Sequence, residues 1–383
     1  MLKDKKVLFI LGVIFIFALF LRIWQLGSFP VGFHLDEASK GYTAYSLLQT
    51  GKDDNNNPFP LYIDIFGDNS PAGYHYIAVI PIAIFGLTEF ATRFPGAFFG
   101  ALSIVACYFL AYAIFKDKKV GLLSALLLTI SPWHINLSRA SSEAIIALFF
   151  IVLGFSLTFW SLRTQAIKHL IFGTILLSIS FFFYQTPRIF VPLFLFILCV
   201  FLFKIWKIQV SSRYKKIFIF SLLLVLIFDF VLVFMVPGGT GRFFQVNIFG
   251  YPETKLVMEE QIREDGISGS EILVTRFFHN KVVDFFLAYG SNYLEYFSWN
   301  FLFMNGLPSW YFVPRMGIAY LIELPFFLLG LFLLSFHKNW IYKAPLLWLI
   351  VGPTTAAIAV DINNMQRSLV MFVALEIITA YGL

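Results

Sequence analysis

Long apolar runs separated by short charged clusters dominate this chain, and few stretches show polar and apolar residues at helical spacing. A helix needs about 20 apolar residues to cross the hydrocarbon core of a bilayer, with a range of about 17–25. By that measure the pattern predicts spans near 7–26, 94–115, 119–135, 143–162, 170–186, 188–206, 217–236, 318–336, 344–360 and 368–383. A shorter run, residues 74–87 (YHYIAVIPIAIFGL), is either another span or a helix lying at the interface. Composition supports the pattern: the 383 residues are 59% hydrophobic and 13% charged, with 49 phenylalanines. A soluble domain is about 25% charged and must cover its surface with polar groups. A soluble enzyme, a disordered chain and a nucleic-acid-binding module are thereby excluded. The expected fold class is an all-α polytopic membrane protein, with residues 1–383 forming one transmembrane domain of about ten spans. The last run stops at Leu383 without a flanking charge, which reads as a C-terminal truncation.

Charge chooses the topology, because Lys and Arg in short loops stay cytoplasmic. With the N-terminus inside and residues 74–87 not crossing, the cytoplasmic segments carry 15 basic residues against two acidic ones, Asp4 and Asp117. If 74–87 crossed, every later cluster would change side. Residues 27–93 are therefore expected to form one external loop with an interfacial helix, and 237–317 a second. The first run is flanked by Arg22 rather than by a small-residue cleavage site, so it reads as an anchor. Cys107 and Cys199 fall inside apolar runs and form no metal or disulfide pattern.

This topology places most acids outside, so any chemistry belongs to the extracytoplasmic boundary. In the first loop, Asp36 and Glu37 open a segment with Ala38, Tyr42, Tyr45 and Leu48 at helical spacing, ended by Gly51. Asp36 reads first as an N-cap with Glu37 as a first-turn acid; the reading as a general base held just outside a span is compatible with it, because a cap position also fixes a catalytic carboxylate in place. Tyr74 and His75 lie at headgroup depth, as an aromatic belt or as ligand contacts. Arg93 is a snorkelling flank or a partner for an anion. In SPWHINLSRASSEA (131–144), Arg139 and Glu143 form either an i,i+4 pair on one helix or part of a site. Arg139, Arg188 and Arg367 come from three separate short turns, odd placements for topology signals alone, and their convergence would hold a phosphate.

The second loop is too long for a structureless connector. Residues 256–264 read as a short polar helix. Residues 276–297 read as an amphipathic one, with Phe277, Phe278, Phe285 and Phe286 on its apolar side, a cover over a site at the membrane surface. No phosphate-binding glycine loop, HExxH or GxSxG occurs, and His34, His75, His134 and His279 show no zinc spacing. No internal repeat is present. Only Asp229 is read as an ionisable residue near the middle of a span.

The order DE after the first span, then GDNSPAGYHY, GLTEFATRFPGA, SPWHINLSRASSE and YQTPRIFVP, followed by FHNK, NYLEYFSWNFLF and NMQRS, resembles bacterial members of glycosyltransferase family 39. That family belongs to the C-type superfamily, with the protein O-mannosyltransferases and the lipid A aminoarabinose transferase. The resemblance implies a C-type transmembrane bundle with interfacial helices in its external loops. It also implies transfer of a sugar from a polyprenyl-phosphate carrier, at the plasma membrane, to an acceptor hydroxyl on the cell-envelope side. Asp36 then matches the presumed base, with Glu37 beside it, and Glu143 matches a second external acid. Two departures stand out: Asn69-Ser70-Pro71 replaces the Lys-Pro-Pro of some relatives, and the chain ends before the family's usual C-terminal spans.

The residues fit that chemistry: a carboxylate deprotonates the acceptor, and Tyr74, His75, Arg93, Arg139, Arg188 and Arg367 are candidates for the donor and its phosphate. The expected partners are the polyprenyl-phosphate-linked sugar, membrane lipids and an acceptor of unknown class, with no nucleic acid. No cofactor is required by this scheme, and Asp36 with Glu143 offers a place for a divalent metal. A transporter or flippase for a lipid-linked saccharide is the second reading, and an inactive fragment of the family the third. The transporter reading predicts ionisable residues along a path at mid-membrane depth.

Overall fold

The computed structural model describes residues 4–65, 67–201, 210–240, 247–248, 252–269, 271–306, 315–360 and 363–383. In chain order, the first helices are α1 (Lys5–Ile23) and α2 (Leu35–Thr50), followed by a hairpin of β1 (Tyr62–Ile65) and β2 (Asp68–Pro71). The hairpin pairs antiparallel, with Tyr62 opposite Pro71. Then come α3 (Gly73–Phe85), α4 (Glu89–Phe115), α5 (Lys118–Ile130), α6 (Pro132–Arg139), α7 (Glu143–Thr164), α8 (Ile167–Ile179), α9 (Thr186–Val200) and α10 (Ser212–Phe230). The second long loop holds α11 (Pro252–Ile267), α12 (Ile272–Phe278) and α13 (Lys281–Glu295). The chain closes with α14 (Leu324–Ser335), α15 (Ala344–Val351), α16 (Thr354–Ala357) and α17 (Met365–Gly382).

Among the described residues, α1, α4, α7 and α10 with its π-helical extension to Met235 are long and apolar enough to cross a membrane unaided. The chain is a multi-pass membrane protein, and its described residues are all-α but for the small hairpin. Large side chains such as Phe9, Ile16, Phe220, Ile227 and Phe332 lie on the outside of the bundle, where lipid rather than water is the solvent. Inside, Phe155 of α7, Phe190 and Phe194 of α9 and Trp348 of α15 form one aromatic cluster, with centroids 5.0–5.3 Å from the indole. Contacts of this kind add to plain area burial. The α3 helix has 13 residues, about 20 Å of rise against a hydrocarbon core of about 30 Å. Part of the sixth expected span, with Lys204, and Lys207 just after it lie outside the described residues.

Two expected spans are broken, each at a proline. The run 119–135 bends by 58° between α5 and α6. Pro132 has no N–H for the Leu128 carbonyl, so the helix ladder stops there. The buried Arg22 guanidinium supplies the missing donors, reaching the Leu128 and Thr129 carbonyls at 3.3–3.4 Å. It also donates to His134 Nδ1 at 2.7 Å, which makes His134 Nε2 the protonated nitrogen facing Ser103 Oγ at 2.8 Å. The run 344–360 is interrupted at Gly352-Pro353, between α15 and α16.

Two expectations are corrected here. The amphipathic stretch 276–297 is not one helix: α12 stops at Phe278, and Asn280 opens α13 by accepting from the Val282 and Val283 amides. An asparagine side chain so placed satisfies amides that a continuous helix would bond to its preceding turn. Asp229 is also not alone among ionisable groups within a span. Glu376 is fully buried on α17, where it accepts from Trp133 Nε1 at 3.4 Å, and the buried Glu323 lies close enough to act on its charge.

Candidate functional site

The site begins at the N-terminus of α2. The His34 ring accepts from the Asp36 amide at 3.2 Å, while the Glu37 carboxylate accepts from the His34 amide at 3.3 Å. This reciprocal cap places Glu37 at the third helical position. Asp36 therefore is not the cap, as its position had suggested; an imidazole nitrogen takes that place. The Asp36 carboxylate stays 52% exposed, 3.7 Å from the His34 ring.

Glu37 turns inward and is buried. It accepts from Arg93 Nε at 3.0 Å and Nη2 at 2.9 Å, and from the Ser141 amide at 3.1 Å. The remaining Arg93 donors go to the Leu26, Pro30 and Gly32 carbonyls at 2.6–3.2 Å. All five guanidinium N–H groups are engaged by the protein. The backbone at Ala140 comes close enough to α4 that any side chain at Gly96 would collide with the Ala140 carbonyl. That close approach brings Ser141 to Glu37.

One turn further along α2, the buried Lys40 ammonium donates to the Ser141 carbonyl at 2.8 Å and pairs with Glu143 Oε2. It lies 5.4 Å from the Tyr74 ring centroid, and the Tyr74 hydroxyl donates to the Thr92 carbonyl at 2.7 Å. Arg139 and Glu143 do not form the expected i,i+4 pair, because α6 ends at Arg139 and Glu143 begins α7. Arg139 instead reaches the carbonyls of Leu21, Arg22, Trp24, Gln25 and Phe29, at 2.8–3.5 Å. It ties down the C-terminal end of α1, where helix carbonyls lack intrahelical partners.

Glu143 lines a cavity of about 250 Å³ together with Arg188, Arg367 and Asp229. Gln185, Thr186 and Asn247 add polar groups, and Phe230, Val233, Phe234 and Ile358 form an apolar wall. Arg188 is anchored by two bonds to the Phe181 carbonyl, at 2.9 and 3.3 Å, and its guanidinium lies 5.1 Å from the Tyr62 ring centroid. Among the described residues the cavity thus joins two guanidiniums, two carboxylates and a greasy flank.

His75 is buried beside this network on α3. Burial, reinforced by the Lys40 ammonium, pushes its imidazole down to about 3, so the ring is neutral in the folded protein. The unfolded chain takes up a proton near pH 6.5, and the folded one only near pH 3. Stability is therefore full above about 6.5 and is lost as pH falls, by up to ~1.4 kcal/mol per pH unit from this group. His75→Leu is expected to remove that portion of the acid-side slope in thermal melts of the detergent-solubilised protein.

Of the nine site residues named from the sequence, Glu143, Arg188 and Arg367 share the cavity, whereas Tyr74, His75, Glu37 and Arg93 form the framework beside it. Asp36 stands at the start of the same helix, and Arg139 lies apart. Lys40 and the cavity role of Asp229 were missed. Among the described residues no group of three His, Cys, Asp or Glu side chains gathers as for a metal. Glu143 is paired with the Lys40 ammonium, and Asp36 lies beside His34.

Residues 69–234 match the family model of the dolichyl-phosphate-mannose-protein mannosyltransferases. The archaeal oligosaccharyltransferase AglB from Archaeoglobus fulgidus, in complex with an inhibitory peptide and a dolichol-phosphate, has a similar structure. Its TM-score is 0.62 at 14% identity, over 99% of this chain and 50% of that one. The fold is that of the C-type glycosyltransferases. ArnT from Cupriavidus metallidurans bound to undecaprenyl phosphate also shares this C-type fold, with a TM-score of 0.56 at 11% identity, over 98% of this chain and 59% of that one. The chain spans between half and three fifths of the length of these two proteins. No curated protein matches it in sequence. The resemblance to the O-mannosyltransferase and ArnT group read from the sequence holds in both the family model and the C-type fold. The matched segment includes Tyr74, His75, Arg93, Arg139, Glu143, Arg188 and Asp229 but not Asp36, Glu37 or Arg367.

Proposed function

We propose that this chain acts as a membrane glycosyltransferase, moving a sugar from a polyprenyl-phosphate-linked donor to an acceptor hydroxyl on the extracytoplasmic face of the plasma membrane. The observation that carries the reading is the cavity in which Arg188 and Arg367 face an apolar wall of Phe230, Val233, Phe234 and Ile358. A prenyl phosphate has those two parts, an anionic head and a hydrocarbon tail. The dolichol-phosphate of AglB and the undecaprenyl phosphate of ArnT support the same ligand class.

In the reaction, the acceptor oxygen loses its proton to a carboxylate and bonds to the anomeric carbon. The bond from that carbon to the phosphate oxygen breaks, and its electron pair leaves with the prenyl phosphate. Attack opposite the leaving group inverts the anomeric centre. Asp36 is the proposed base. It lies four residues before Lys40, hence on the same face of α2, and Lys40 touches the cavity residue Glu143. Its exposure suits an acceptor that arrives from water. Glu143 orients the sugar or the acceptor, and the two arginines bind the phosphate and take up the charge that grows on it.

The test is binding of undecaprenyl phosphate to the purified chain in detergent, read by native mass spectrometry. Arg188→Ala is expected to weaken binding by roughly 10- to 100-fold, the equivalent of about 1.5–3 kcal/mol for a hydrogen bond to a charged group. Equal binding by wild type and folded Arg188→Ala removes the cavity from the donor role. A second reading, transport of a lipid-linked saccharide, gains something from Glu376 and Glu323 inside the bundle. It predicts carrier binding with no transfer of label.

A further inference from the structure

We infer that Lys40 is a positioning residue: it holds Glu143 as a neutralised pair and thereby leaves the cavity with the surplus positive charge that a phosphate requires. The inference rests on the reading of the cavity as a prenyl-phosphate site and names the residue that tunes it.

Among the described residues, two carboxylates, Glu143 and Asp229, and two guanidiniums, Arg188 and Arg367, line the cavity, and their formal charges cancel. An incoming phosphate would then meet as much repulsion as attraction. The Lys40 ammonium reaches the cavity through Glu143 Oε2, from a buried place between the Ser141 carbonyl and the Tyr74 ring. A buried ammonium is strongly disfavoured without partners, and these three groups fix it in one position. His75 beside it is neutral and adds nothing to the balance. With Lys40 in place, Glu143 has its own counter-ion, and the two arginines have one carboxylate fewer to serve. Lysine is suited to this task because it is a compact point charge; the planar, forked guanidinium is left for the phosphate.

The experiment uses the full chain in detergent and undecaprenyl phosphate as probe, with a melting curve for each variant to establish folding. Lys40→Met is expected to weaken binding about 10- to 100-fold, the size of coupling seen between contacting charged groups. Glu143→Gln is expected to bind at least as tightly as wild type. The double variant, Lys40→Met with Glu143→Gln, is expected to recover to within about threefold of wild type. A lysine needed only for stability would show that rescue in the melting curves while every folded variant bound the probe like wild type. Weak binding by Glu143→Gln overturns the inference by making Glu143 itself part of the phosphate site, and this outcome is readable even if Lys40→Met fails to fold. A double variant as weak as Lys40→Met overturns it by placing Lys40 directly on the ligand. Absence of binding by folded wild type overturns the cavity's donor role, and the inference with it.

Discussion

Asp36→Asn is expected to lower sugar transfer by roughly 10²–10⁴-fold, the usual contribution of a positioned general base, while the protein stays folded. Asparagine has the same shape but cannot take a proton from the acceptor hydroxyl. Three features separate this variant from structural damage: the carboxylate is half exposed, the helix is capped by His34 rather than by Asp36, and the inward ion pair belongs to Glu37. The melting curve should therefore match wild type. The assay supplies radiolabelled polyprenyl-phosphate sugars and a membrane extract as acceptor to the purified chain, and follows label transferred. Wild-type turnover by Asp36→Asn would take the base role away from Asp36. Carrier binding with no transfer by either protein would favour the transport reading over catalysis.

Much of the membrane architecture was legible because it depends on run length. A helix in lipid must satisfy its own backbone, so uninterrupted apolar stretches near α1, α4, α7 and α10 could form little else. Breaks were less visible, although Pro132 and Pro353 stood within the expected spans. A proline announces that a carbonyl is orphaned; only the fold shows that Arg22, more than 100 residues away, supplies the donor. Helix capping by His34 escaped notice because Asp, Asn, Ser and Thr are the usual caps and Asp36 was near at hand.

The site shows the same division. Arginines in short turns were rightly singled out as unusual, yet Arg188 and Arg367 line a cavity, whereas Arg139 fastens the end of α1. Nothing local distinguishes these outcomes, since each depends on which carbonyls or carboxylates the packing brings near. Lys40 looked like any surface lysine between Ser39 and Gly41, and its partner Glu143 is 103 residues distant. Glu376 was hidden by the apolar residues of its own span.

Arg93→Met is expected to cost about 3–5 kcal/mol of stability, the penalty for breaking a buried pair and stranding the other charge. Arg93 is fully buried, and its loss strands Glu37 as well as the carbonyls of Leu26, Pro30 and Gly32. Those three carbonyls belong to the segment joining α1 to α2, so the loop that presents Asp36 would lose its anchor. Arg93→Lys is not expected to rescue, because an ammonium has three donors and no planar fork to match the carboxylate and three carbonyls together. Adding Glu37→Gln to Arg93→Met should recover part of the loss by removing the stranded charge, although the Ser141 amide would then bond to a neutral acceptor. Thermal denaturation in detergent measures each step. If Arg93→Met instead melts like wild type but loses binding of undecaprenyl phosphate, Arg93 serves the ligand and not the loop. The geometry favours the loop, because a guanidinium whose five N–H groups are already bonded would have to give up a protein partner for every phosphate oxygen it gained.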